Sequence, residues 1–120
     1  MTADANQENG PERCVPRLSV DPEAMRSHAD EATRLLKALS NRSRLMVLCS
    51  LAQGELTVGQ INERVPLSQS ALSQHLAVLR RDGLVQTRRS AQTIYYRLAG
   101  GPAGRVIETL HAIYCGPPSG

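Results

Sequence analysis

Three residues of this chain carry side chains that make and break covalent bonds near neutral pH: Cys14, Cys49 and Cys115. A thiolate attacks disulfide or sulfane sulfur and binds soft metal ions. An odd number of cysteines without framework spacing is the pattern of free thiols, and they form neither a Cys-x-x-Cys pair nor a nucleophile motif. By spacing alone, Cys49 and Cys115 are two thiols far apart in sequence, and free cysteine often serves as a small buried hydrophobe. A second set of residues suits a different task. Ser70, Ser73, Gln74, Ala77 and Arg81 recur at helical spacing, and short polar groups and amides on one helix face can reach base edges in a major groove. Every surface helix has a polar face, so this pattern gains meaning only from the segment next to it.

That segment changes period after Gly83. Ile94, Tyr96 and Leu98 alternate with Thr93, Tyr95 and Arg97 as in a half-buried strand, and Leu84 to Arg88 supplies a shorter partner. Arg88, Arg89, Ser90, Ala91 and Gln92 then form a basic hairpin tip. Between residues 41 and 97 eight arginines face Glu55, Glu63 and Asp82, a local charge of +5 in a chain whose total is +3. Positive charge gathered in this way suits a surface that approaches phosphates. The helix before the hairpin opens at Ser68 and buries Leu72, Leu76 and Leu79. A shorter helix precedes it, begun by a Thr57/Gln60 capping box and stopped by Pro66. Two helices joined so briefly, then a β-hairpin, read as a winged helix-turn-helix.

The flanking segments supply support. Residues 1–21 are polar and broken by Pro11 and Pro16, which predicts a flexible arm holding Cys14. Asp21 and Pro22 open a helix expected to run to Ser40, with a stripe of Ala29, Ala32, Leu35, Leu36 and Leu39. A second begins near Asn41, with Leu45, Leu48, Cys49 and Ala52 on one face, so Cys49 is expected to be buried or half-buried. A last helix carries Val106, Ile107, Leu110, Ile113 and Tyr114, a wide apolar face best covered by a symmetric partner. The domain is expected over 22–115, followed by a tail at 116–120. The absence of Trp and Phe leaves the core to aliphatic side chains, and the lack of a membrane-length apolar run or signal pattern points to the cytoplasm.

The run LLKALSNRSRLMVLCSLAQGELTVGQINERV, then LSQSALSQHLAVLRRDGLV and IYYRL, resembles the ArsR/SmtB family of small dimeric winged-helix repressors. Leu39, Ser40, Arg44 and Leu45, then Ser73, His75, Leu76, Leu79, Gly83, Leu84 and Val85, and finally Tyr95 and Tyr96 carry the likeness. The wing tip departs from it, with Ser90 and Ala91 where the family often has glycine. The resemblance implies a mainly α fold with a β-hairpin wing, a symmetric homodimer, and double-stranded operator DNA as partner. The candidate DNA contacts are Ser68, Gln69, Ser70, Ser73, Gln74, His75, Arg80 and Arg81 on the second helix and Arg88, Arg89 and Gln92 on the wing.

Cys49 in VLCSLAQGE and Cys115 in LHAIYC resemble the thiol pair of the sulfide-responsive, BigR/SqrR-type branch. That likeness implies a redox switch, with persulfide or polysulfide as inducer, no cofactor, and release of DNA when the two thiols are bridged. Metal sensing is the family's other use. The helix before the reading helix has no cysteine, and the last helix offers only Glu108 and His111 as zinc ligands. Arsenite held by Cys49, Cys115 and Cys14, or haem, stays open as an alternative. No residues suggest an enzyme.

Overall fold

The structure is a computed structural model that describes residues 17–116. Cys14, the expected arm before residue 17 and the tail at 117–120 lie outside the described residues. The first helix, α1 (Pro22–Arg26), is capped as the sequence predicts: the Asp21 side chain accepts from the Glu23 amide at 3.0 Å. It does not continue to Ser40. The chain breaks at Ser27 and His28 and restarts as α2 (Ala29–Leu39). Ser27 Oγ donates to the Ala24 carbonyl and the His28 amide to that of Met25, a tightened turn that ends α1. Every residue from 17 to 31 is exposed, so among the described residues little burial holds the two helices in line. The buried stripe of α2 is accordingly displaced toward its end. Ala38 and Leu39 are buried and Ala32 and Leu35 half-buried, whereas Ala29 and Leu36 face outward.

Helix α3 (Arg42–Ser50) starts where Asn41 accepts the Arg44 amide, and the Arg44 guanidinium reaches back to the Ala38 carbonyl at 3.0 Å to close the end of α2. Its buried residues are Val47 and Leu48, joined by Leu51 just beyond it. Of the expected face only Leu48 is fully buried; Leu45 is half-buried, and Cys49 and Ala52 are exposed. Apolar residues surround most of this helix, so spacing fits two faces equally and tertiary packing decides between them.

Strand β1 (Leu56–Thr57) leads into α4 (Val58–Arg64), whose capping box is present in full: the Gln60 backbone amide donates to Thr57 Oγ1 at 3.2 Å and the Gln60 side-chain Oε1 accepts from the Thr57 amide at 2.9 Å. The Asn62 side-chain amide bridges the carbonyls of Val65 and Leu67 and fixes the turn into α5 (Gln69–Arg81). Ser68 caps that helix, with Oγ accepting from Ala71 at 3.2 Å. Leu72, Leu76 and Leu79 pack into a core built around Val47, Leu48, Ile61 and Val85. Full burial of each such side chain is worth about 1.5–3 kcal/mol.

Beyond Gly83, in the left-handed region at φ +75°, β2 (Val85–Ser90) and β3 (Thr93–Leu98) form the wing in a register from Val85 opposite Leu98 to Ser90 opposite Thr93. Its sheet has a third strand that the sequence did not suggest. β1 pairs antiparallel with β3, Leu56 opposite Tyr96 and Thr57 opposite Tyr95, giving the order β1-β3-β2. Two residues are too few to show alternation. Ile94, expected to face inward, is exposed because the hairpin end runs past the core. The last helix, α6 (Pro102–Cys115), buries Ala103 and Ile107 and leaves Ile113 and Tyr114 64% and 82% exposed. Among the described residues no helix is long and apolar enough to cross a membrane.

At the wing tip Ala91 holds φ +57°, a left-handed conformation that costs an alanine about 1–2 kcal/mol. Ala91→Gly is expected to stabilise the domain by ~0.5–1 kcal/mol, since glycine's larger loss of chain entropy offsets part of that relief. Urea unfolding would show a higher midpoint; an unchanged or lower one would mean that the turn is not strained.

Candidate nucleic-acid interface and thiol pair

The core fixes which side of α5 faces out. With Leu72, Leu76 and Leu79 turned inward, Ser68, Gln69, Ser70, Ser73, Gln74, Arg80 and Arg81 are all exposed, as is Ala77, and His75 alone of the predicted contacts on this helix is half-buried. A cleft of about 480 Å³ separates α5 from the wing, lined by Val58, Ser73, Leu76, Ala77, Arg80, Arg81 and Tyr96. Arg81 also reaches Asp82 at 3.2 Å. The arrangement is a shallow, cationic-rimmed groove beside a helix of small polar groups, suited to a duplex backbone and the base edges next to it.

The eight arginines read as one basic patch do different work in the fold. Arg44 closes the end of α2, and the Arg64 guanidinium donates to the Ser50 carbonyl at the end of α3. Neighbouring positions on a strand point to opposite faces, so Arg88 and Arg89 part company. Arg89 pairs with Ile94 on the sheet face that carries Tyr96 toward α5; it and Gln92 are exposed, and among the described residues Arg89 has no ion-pair partner. Arg88 lies on the other face, opposite Tyr95. Its guanidinium carbon sits 4.6 Å from the centre of the Tyr95 ring, its Nε donates to both Glu55 carboxylate oxygens at 3.1 and 3.2 Å, and its Nη2 completes an ion pair with Oε1. That hydrogen bonding holds the Glu55 carboxyl below its ordinary pKa, with the charges of Arg88 and Arg97 acting in the same direction and partial desolvation opposing them. Sequence reasoning missed Glu55 and Tyr95 as a unit with Arg88. Glu55 stands 33 residues from Arg88, and only the strand register brings them together.

Cys49 and Cys115 are both free thiols and both exposed, on α3 and at the final position of α6. Neighbouring protein still desolvates Cys49 enough to push its thiol above the ordinary value, and the charge of Cys115 raises it further. The second effect places the two thiols, 66 positions apart in sequence, within electrostatic reach of each other. His111, one turn before Cys115, is exposed. Among the described residues no three His, Cys, Asp or Glu side chains converge as a metal site would need.

Residues 41–87 match the family model described as bacterial regulatory protein, arsR family. Across a wider span the chain is 53% identical over 91 residues to the transcriptional activator HlyU of Vibrio cholerae, covering 76% of this chain and 84% of that protein. The chain belongs to the ArsR family. Among solved structures, the transcriptional repressor BigR from Xylella fastidiosa superposes with a TM-score of 0.76 at 41% identity, over 80% of this chain and 98% of the other. The homodimeric winged helix-turn-helix DNA-binding domain Mb0332 from Mycobacterium bovis matches with a TM-score of 0.66 at 31% identity, over 80% and 89%. The ArsR-family winged helix read from the sequence is thus the fold observed, and the relatives are transcriptional regulators, not enzymes.

If Cys115 adds to the elevation of the Cys49 pKa, Cys115→Ser removes that part and leaves the contribution of desolvation. The alkylation of Cys49, followed by peptide mass spectrometry against pH, is expected to inflect at lower pH in Cys115→Ser than in the native chain. Coincident profiles would mean that the two thiols do not sense each other.

Proposed function

We propose that this ArsR-family regulator is a repressor which, as a homodimer, reads operator DNA through α5 and the wing and releases it when persulfide or polysulfide links Cys49 to Cys115. The observation that carries the reading is the pair of free, exposed thiols on separate elements within electrostatic reach of each other. Contacts to DNA come from Ser68, Gln69, Ser70, Ser73, Gln74, His75, Arg80 and Arg81 of α5, with Arg89 and Gln92 at the wing tip. The uncovered Ile113 and Tyr114 of α6 favour a second copy as their cover, in keeping with the homodimeric Mb0332 domain. Such a protein works where the chromosome is, in the cytoplasm.

In the proposed chemistry Cys115 acts first, because desolvation raises the Cys49 thiol and so leaves less of it as the attacking thiolate. Its thiolate attacks the outer sulfur of a persulfide RSSH, the S–S bond breaks, and RS⁻ leaves to be protonated as RSH, giving Cys115–SSH. The Cys49 thiolate then attacks the Cys115 sulfur and expels HS⁻, forming a disulfide. Where both cysteines have first taken up a sulfur, one attacks the other and hydrogen sulfide leaves, forming a trisulfide. In either case the two thiols are oxidised by two electrons in total and one sulfane sulfur is reduced to sulfide. Each added sulfur lengthens the bridge by about 2 Å.

The bridge would join α3, which leads through β1 into the reading helices, to α6, which carries the proposed dimer face. Recognition helices of a dimer must meet successive major grooves about 34 to 36 Å apart, so a small shift at the seam spoils the fit. A coupling of about 1–3 kcal/mol changes affinity roughly fivefold to 150-fold.

With a duplex selected by the reduced protein from a randomised library, polysulfide is expected to abolish the mobility shift while intact-mass measurement shows the linked form. Cys49→Ser and Cys115→Ser proteins should stay bound. If they leave DNA as readily as the native protein does, the sensing assignment is wrong. Ile113→Glu is expected to move sedimentation toward the monomer; an unchanged dimer would exclude that face from the seam.

A further inference from the structure

The ion pair on the outer face of the wing joins parts of the chain that the hairpin alone would leave independent. Thr57 on β1, Tyr95 on β3 and Arg88 on β2 lie in one row across the three strands, and Glu55, two residues before Thr57, feels the charge of Arg97 as well as that of Arg88. From β2, Arg88 passes over the Tyr95 ring to the carboxylate of Glu55, just ahead of β1. β1 is only two residues long and runs without a break into α4, the first helix of the helix-turn-helix. The backbone pairing that ties the wing to the reading head is therefore very short, and the side-chain link doubles it at the same edge. This face is turned away from the groove between α5 and the wing, which Tyr96 lines from the sheet face that also carries Arg89.

From this geometry we propose that Glu55 is a positioning residue for DNA binding, which, through Arg88, fixes the wing relative to α5 so that Arg89 and Gln92 meet the backbone at a set distance from the reading helix. Arg88, which the sequence suggests as a phosphate contact, is the arm of this link and does not touch phosphate. The inference rests on the reading of α5 and the wing as the DNA surface.

Charge reversal separates this role from simple electrostatics. Glu55→Arg makes each chain more positive by two charges, which alone would tighten binding to a polyanion. The link predicts the opposite, a loss on the order of tenfold, within the range of coupled side-chain pairs. Arg88→Glu is expected to weaken binding at least as much. The exchanged protein, Glu55→Arg with Arg88→Glu, restores the pair at unchanged net charge and should return to within about threefold of native affinity.

The salt dependence gives a second readout on the same selected duplex. Arg88→Gln should leave the slope of log affinity against log salt unchanged, whereas Arg89→Gln should flatten it by about one per protomer. Circular dichroism of each variant separates loss of fold from loss of contact, and the exchanged protein decides the matter even if a single variant fails to fold. Tighter binding by Glu55→Arg, or an exchanged protein no better than Arg88→Glu while Arg89→Gln flattens the slope, would overturn the proposal and leave the wing reading intact. If Arg89→Gln changes nothing, the wing does not reach DNA and both fall together.

Discussion

Burial of one leucine face of α5 is the constraint that governs the whole arrangement. Leu72 and Leu79 are wholly removed from solvent and Leu76 nearly so, packed with Val47, Leu48, Ile61 and Val85 in a core that lacks phenylalanine and tryptophan. Aliphatic side chains interdigitate closely, and a rotation of α5 by one position would turn Ser73 and Arg80, or in the other sense His75, toward that core without partners. The helix therefore has one acceptable orientation. The polar groups of Ser70, Ser73 and Gln74 are presented outward as a direct result of what the leucines bury. The face proposed to read DNA is the complement of the buried one.

Charge is organised on top of that frame, and less of it faces outward than composition suggests. Arg44 and Arg64 complete the ends of helices, where unpaired carbonyls attract a cation, and Arg88 is neutralised by Glu55. Of the eight arginines, Arg80 and Arg81 at the end of α5 and Arg89 at the wing tip are exposed on the two elements proposed to face a polyanion. Such placement favours orientation as well as attraction, because a field with a defined direction steers a duplex into one approach.

The parts of this architecture legible in the sequence were those set by neighbours along the chain. The Thr57/Gln60 box, the caps at Asp21, Asn41 and Ser68, the stop at Pro66 and the hairpin strands all depend on residues within a few positions of one another. What stayed hidden depended on distant contacts. The break at Ser27 and His28 follows from a lack of packing, the exposure of Cys49 from a choice between two apolar faces of α3, and strand β1 from a partner some 40 residues away. The candidate site divides in the same way. The outward residues of α5 were readable from their period, whereas the separate fates of Arg88 and Arg89 needed the register, and the approach of Cys49 to Cys115 needed the tertiary fold.

Cys115 occupies the final turn of α6, next to Gly116 in the left-handed region. The last turn of a helix holds carbonyls without intrahelical partners and opens at little cost compared with the middle of the domain. Cys49 lies one residue from the end of α3, so in the proposed bridge both sulfurs belong to the last turns of their helices. A tether made there would act on the terminal turn of α6, well along the helix from the buried Ala103 and Ile107. On the proposed mechanism a helix end that opens readily would accept links of unequal length, so the protein would register that a link exists more than how many atoms it contains.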